Sequence, residues 1–188
     1  MNKVKLADIA EVISGLSYRR YRDESEDSYD VIVQRSIRKD GILKDFEKIR
    51  LVKPKSRYFT KPGDILMKMP YPYDVVCVSQ ENLVVSDRIA IIRVNKNFNP
   101  SFIAHLLSNA HVKKQLHELG STERIPHTSL KEIKELKLVI PDRKTQDQCA
   151  ELLDLINEKI VADKALVKYD RNLKEGILNE IWEGGLDV

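Results

Sequence analysis

Between Arg143 and about Trp182 the chain runs for some forty residues without a proline and with a single interior glycine, Gly176. No other stretch limits the fold so strongly. Apolar residues recur at Leu152, Ile156, Ile160, Leu166 and Val167, Leu173, Ile177 and Ile181, in steps of three and four that line one face of an α-helix. At 1.5 Å per residue such a helix is roughly 55–60 Å long, more than a small core covers. Asp163 and Asp170 interrupt the stripe, and polar residues at such positions weaken a helix–helix seam while fixing its register and partner. A helix folded back on residues 1–141 is the alternative. Packing against a second chain or another partner accounts better for the length.

Residues 1–141 carry shorter, mixed signals. LADIA (6–10) reads as a helical turn leading into Val12-Ile13 and ending at Gly15. Tyr29–Val33, Asp64–Met67, Asp74–Ser79, Leu83–Ser86 and Ile89–Val94 have the β-branched density of strands. Asp40-Gly41 and Pro62-Gly63 mark turns. Asn99-Pro100-Ser101 starts a helix whose buried face is Ile103, Leu106, Leu107 and Ala110. His111–Leu119 is a second helix, Thr128-Ser129 caps a third at Leu130–Leu136, and Lys137–Ile140 returns to strand before Pro141. The expected class is α+β: a mixed α/β domain over 1–141 followed by a long C-terminal helix over 142–188.

Composition narrows the function classes. Apolar residues make up 42% of the chain and charged residues 32%, which suits a folded soluble domain. No apolar run is long enough to cross a bilayer and the start MNKVKLADIAEVISG lacks a signal-peptide pattern. Cys77 and Cys149 form no CxxC pair, so a reducing, cytoplasmic setting is expected. Of the 32 basic and 29 acidic residues, 7 and 10 respectively fall in 143–188, leaving residues 1–142 at +6 and the tail at −3. A basic surplus on one domain suits nucleic acid, because Lys and Arg beside phosphates release counterions. An ordinary solvated surface has the same arithmetic.

Catalytic patterns are weak. His105, His111 and His117 lie six residues apart, about 240° around a helix, so they share no face; with His127 they lack a Cys or HExxH companion for a metal. Met69–Tyr73 (MPYPY) glances at the Pro-Pro-Tyr loop of adenine methyltransferases but lacks the leading Asn or Asp and a Gly-rich loop. Asp64 and Lys68 could be a nuclease fragment, but no carboxylate stands two residues before Lys68. The expectation is no catalytic residue, no metal and no cofactor in this chain.

Loops that join cations to aromatics or amides are more telling. Arg19, Arg20 and Arg22 sit among tyrosines; Gln34, Arg35 and Arg38 follow a strand; Lys68, Tyr71 and Tyr73 share a proline-stiffened loop; Thr122, Arg124 and His127 lie in GSTERIPH. Arg pairs with guanine edges, Gln with adenine, and hydroxyls and Lys with phosphates, so these twelve are the candidate DNA contacts.

The start KVKLADIAEVISG, the strand PGDILMK, the stretch VVSDRIAIIRV and the helix NPSFIAHLLSN resemble target-recognition domains of type I restriction–modification specificity subunits. The most specific part is the passage from Gly120 through Leu130, Ile133, Leu136, Leu138, Ile140 and Pro141 into a helix bearing Gln146, Ala150, Leu153 and Ile160. Cys149 stands where that family usually has an aliphatic residue, and Asp142 where it more often has an apolar one. The resemblance covers nearly the whole chain.

It implies a non-catalytic reader of double-stranded DNA. The family's usual subunit has two recognition domains and two long helices, so this chain resembles a half-subunit that dimerises through an antiparallel coiled coil. Its partners would be a second copy, a DNA methyltransferase subunit carrying S-adenosylmethionine, and, where the system has one, a restriction subunit; no membrane is implied. Two alternatives stay open: an orphan or decoy module that binds the methyltransferase without reading DNA, and a small nuclease.

Overall fold

The structure, a computed structural model, describes residues 3–39, 41–119 and 126–185. The chain divides into two compact units, Met1–Ala150 and Glu151–Val188. In chain order the first half holds β1 (Lys3–Lys5), α1 (Leu6–Ile9), β2 (Ala10–Ser14), β3 (Ser28–Ile32), β4 (Glu47–Arg50), β5 (Ile65–Lys68), β6 (Val75–Cys77), β7 (Val84–Val85) and β8 (Ile89–Val94). Helices α2 (Pro100–Ser108), α3 (Ala110–Leu119) and α4 (Leu130–Glu135) follow, then β9 (Lys137–Val139) and α5 (Arg143–Trp182). Each strand and helix read from the sequence is present, with ends moved by a residue or two. Strands β1 and β4 carried no apolar run, and so gave no strand signal in the sequence.

The first unit is built on an antiparallel four-stranded sheet in the order β2-β8-β5-β6. Successive side chains in a strand point to opposite faces, and here both faces are dry. Ile65, Met67, Ala90 and Ile92 join residues of α1, α2, α3 and α4 in one core cluster. Leu66, Ile89 and Ile91 join Ile32, Ile37 and Val85 in another. A three-stranded sheet, β4-β3-β7, contributes to the second and third clusters, and β3 pairs parallel with β7. The run IAII is therefore continuous rather than alternating, as a strand covered on both sides requires.

Local chemistry sets the helix starts. Asn99 caps α2, its side-chain oxygen accepting from the Phe102 N–H at 3.0 Å, with Pro100 in the first turn. Ser129 and Glu132 form a capping box on α4. Asp142 caps α5: it accepts from the Thr145 N–H at 3.0 Å and the Thr145 hydroxyl at 2.8 Å, and these bonds hold its carboxyl below the usual range.

The opening turns of α5 belong to the first unit. Gln146 is 2% exposed, accepting from the Asn99 N–H at 3.0 Å and donating to the Pro141 carbonyl at 2.9 Å, and Ala150 is buried in the main core. The units therefore meet beyond the 141/142 division read from the sequence. In the second unit α5 leaves Leu152, Ile156, Ile160, Leu166, Leu173, Ile177 and Ile181 between 42% and 59% exposed. Leu155, Tyr169, Leu178 and Trp182 are exposed as well and widen the apolar surface beyond the stripe read from the sequence.

Gly15 is a point of backbone contact. A Cβ there would lie 2.3 Å from the carbonyl oxygens of both Val85 and Ser86, well inside van der Waals contact. The neighbouring Leu16 N–H donates to the Val85 carbonyl at 2.7 Å, and the Asp87 N–H donates to Leu16 at 3.0 Å. Replacing Gly15→Ala must push β2 off the 85–89 turn, and overpacking of this kind costs about 1–3 kcal/mol. The expected outcome is a fall of roughly 2–12 °C in melting temperature by calorimetry or circular dichroism; an unchanged melt would refute the close contact.

Candidate nucleic-acid interface

Backbone hydrogen bonds bring the cation-bearing loops to one end of the four-stranded sheet. The Leu16–Asp87 bond ties the 16–22 loop to the β7–β8 turn, and the Ser86 N–H donates to Ile32 at 3.0 Å, which brings in the segment after β3. The Met69 N–H donates to Arg88 at 3.0 Å, the Thr128 N–H to Met69 at 2.9 Å, and Pro70 bridges to His127. Four segments far apart in sequence thus share one edge.

At the centre of that edge is a concave pocket of about 400 Å³, lined by Tyr18, Arg19, Gln34, Arg35, Asp87 and Arg88 with Val33, Glu47 and Ser86. Two single-turn 3-10 segments, Tyr18–Arg20 and Gln34–Ser36, supply its walls. Ser36 is buried and fastens the second: its hydroxyl accepts from the Val33 N–H at 3.2 Å and donates to the Asp45 carbonyl at 3.1 Å. The Gln34 Nε2 is buried without a hydrogen-bond partner among the described residues.

The arginines differ in how far they are committed. Arg22 pairs with Glu24 at 3.0 Å, Arg35 with Glu47 at 3.1 Å, and Arg38 with Asp45. Arg19, Arg20 and Arg88 are exposed and make no side-chain hydrogen bond or ion pair among the described residues. Exposed pairs contribute only about 0–1 kcal/mol, so the paired arginines can exchange partners, but the unpaired ones meet an anion with nothing to give up. Arg88 was missed in the sequence because it stands alone in a turn between strands, with no neighbouring cation to mark it.

The 68–73 loop needs one correction. Tyr71 is 59% exposed, but Tyr73 is wholly buried and part of the main core, so it is withdrawn from the DNA-facing set. The reason is local: Tyr73 adopts a left-handed φ of 55°, and its ring lies beneath Tyr71 edge-on at 5.8 Å. Burial also pushes its phenol pKa up. Lys68 is largely buried and donates to Asp74 at 2.9 Å. His127 is exposed. Thr122 and Arg124 lie outside the described residues.

The other chemical readings find different uses for their residues. Asp64 is buried and meets Arg93 through both oxygens, at 3.0 and 3.1 Å, while Arg93 also donates to Phe59 at 3.0 Å. It is a structural tie, separate from Lys68. Among the described residues no group of three His, Cys, Asp or Glu side chains comes together as a metal site would need. No helix among them is long and apolar enough to cross a membrane.

Several solved structures share this fold. One is a chain from work on the structural basis of complex assembly and conformational transition of the type I R-M system, with a TM-score of 0.70 and 19% identity, covering 98% of this chain and 46% of that one. The HsdS subunit from Thermoanaerobacter tengcongensis gives 0.63 and 17%, covering 98% and 45%. The type I restriction–modification S subunit from M. genitalium gives 0.64 and 13%, covering 97% and 46%. At these identities the likeness is one of fold, and the chain spans less than half the length of each. A comparison with curated proteins finds no match. The family described as type I restriction modification DNA specificity domain matches residues 1–181, and this chain, a mixed α+β domain with a long C-terminal helix, belongs to that family.

Proposed function

We propose that this chain reads DNA as a half-subunit: two copies pair through α5 and direct an adenine methyltransferase to a bipartite site. The observation that carries the reading is the convergence of Arg19, Arg35 and Arg88 around one pocket at the end of the sheet. Phosphate contacts set affinity and register, and amide or guanidinium contacts to base edges set sequence. The chain carries no chemistry of its own in this reading. S-adenosylmethionine belongs to the methyltransferase, and a restriction subunit joins the same cytoplasmic assembly where the system has one.

The apolar stripe supports the pairing. Side chains such as Ile156, Ile160, Leu166 and Ile177 are around half exposed on α5, and each is worth about 1.5–3 kcal/mol when fully buried. A two-fold antiparallel pair is the simplest closed arrangement that covers such a stripe with its own copy. Ultracentrifugation at micromolar concentration is expected to give twice the chain mass, and Leu166→Glu to give a folded monomer. A wild-type monomer that persists with the methyltransferase present removes the half-subunit reading.

Two identical readers related by a two-fold axis call for an inverted repeat. Sequencing of adenines methylated by purified chain and methyltransferase is therefore expected to return two equivalent half-sites with a non-specific gap. An asymmetric or undivided motif refutes the symmetric dimer.

Arg19→Ala, Arg20→Ala and Arg88→Ala, measured one at a time, separate two kinds of contact. Loss of a phosphate contact weakens all duplexes alike and lowers the salt slope by about one. Loss of a base contact costs roughly 1–3 kcal/mol on the methylated motif only. If none of the three changes affinity, the DNA face lies elsewhere.

A further inference from the structure

Asp74 is an unusual carboxylate for a DNA-facing edge. Its side chain is 4% exposed, directly after the loop that presents Tyr71. Two lysines from two elements approach it, and a third bears on one of them. Lys68, at the end of β5, donates to Oδ2 at 2.9 Å. Lys113, on α3, has its ammonium 3.9 Å from Oδ1, beyond hydrogen-bonding distance. Lys39, after the Gln34–Ser36 turn, is close enough to repel Lys113.

Asp74 accepts a hydrogen bond from Lys68 and leaves Lys113 outside that distance. Oδ2 is taken by Lys68, and Oδ1 has no hydrogen-bond partner among the described residues. Lys113 is left with 26% of its side chain exposed, partly stripped of water and without a hydrogen-bonded anion among the described residues. Two ammonium groups face a single carboxylate, and Lys39 adds its repulsion to Lys113. Burial and the neighbouring lysines both disfavour the charge on Lys113, and the Asp74 attraction only partly offsets them. An incoming anion removes that penalty. The exposed ring of Tyr71, beside His117 at 6.4 Å, places the same spot on the accessible edge.

We propose that Lys113 and Lys68 grip a backbone phosphate of DNA, with Asp74 as the positioning residue that holds the two ammonium groups side by side. This deepens the DNA-reading function above and rests on it. It brings α3 into the interface, a helix that none of the four sequence-chosen loops includes. A carboxylate that draws two lysines to one point makes a phosphate site from side chains that would otherwise repel each other apart.

The test uses the whole chain and a duplex of random sequence, because a phosphate grip is independent of base sequence. Lys113→Met keeps the side-chain length and removes the charge. It is expected to weaken binding and lower the salt slope by about one. Lys114→Met is the control for net charge, since Lys114 is an exposed neighbour paired with Glu118; its slope is expected to stay near that of the wild type. Asp74→Asn raises the net positive charge of the chain, so a purely electrostatic account has it bind more tightly. Positioning requires the reverse, weaker binding in a protein whose circular dichroism is native.

A wild-type protein with no salt-dependent affinity overturns DNA reading as a whole. A wild type that binds normally, with an unchanged slope for Lys113→Met, overturns the grip alone and leaves Lys113 a structural partner of Asp74. Tighter binding by Asp74→Asn overturns the positioning role, and if that variant does not fold, the Lys113 and Lys114 pair decides the grip.

Discussion

Strand β8 is hydrogen-bonded on both edges, to β2 and β5, and buried on both faces. A side chain buried from such a strand is worth about 1.5–3 kcal/mol, against about 0–1 kcal/mol for an exposed ion pair. The central sheet therefore decides where the loops end, and the surface charges do not. Arg88 emerges at the start of β8 because Ile89 is pinned in the core. Lys68 lies opposite Ile89 in the β5–β8 register. The Asp87 turn is carried to Leu16 by the same pairing that brings β2 beside β8. The basic edge is a by-product of where an apolar strand must stop.

That dependence explains what could be seen in the sequence. β-branched density identified the β8 and β5 strands, Asn99-Pro100 marked the start of α2, and the proline-free stretch foretold α5. The loop clusters were visible too, and backbone hydrogen bonds bring the described parts of all four to one edge. Arg88 and Lys113 escaped notice because their placement is tertiary. One is a lone residue in a turn, and the other is one lysine of an ordinary-looking Lys113-Lys114 pair on α3. Which of those two turns inward depends on Asp74, forty residues earlier in sequence. Tyr73 was misread for a related reason: a tyrosine in a polar, proline-rich loop has the composition of a contact residue, and only its left-handed backbone sends the ring into the core.

The long helix has a divided character that hydropathy alone hides. Its first two turns are held by particular polar bonds, with Asp142 on Thr145 and Gln146 on both Asn99 and Pro141. From Glu151 onward nearly every side chain is exposed. One continuous element thus serves two purposes, completing a core at its start and offering an apolar surface along the rest. Asp163 and Asp170 lie within that surface, where a featureless stripe would have accepted many partners in many registers.

Gln146 has a practical consequence for anyone who would exchange recognition domains between related chains. A chimaera joined at Pro141, the natural-looking stop, would leave the Asn99 N–H without its acceptor, and the vacancy left by Ala150 would open the core. The joint worth cutting lies after Ala150, inside uninterrupted helix, where the first unit ends. Domain grafts made there should inherit a new specificity without inheriting a broken hinge.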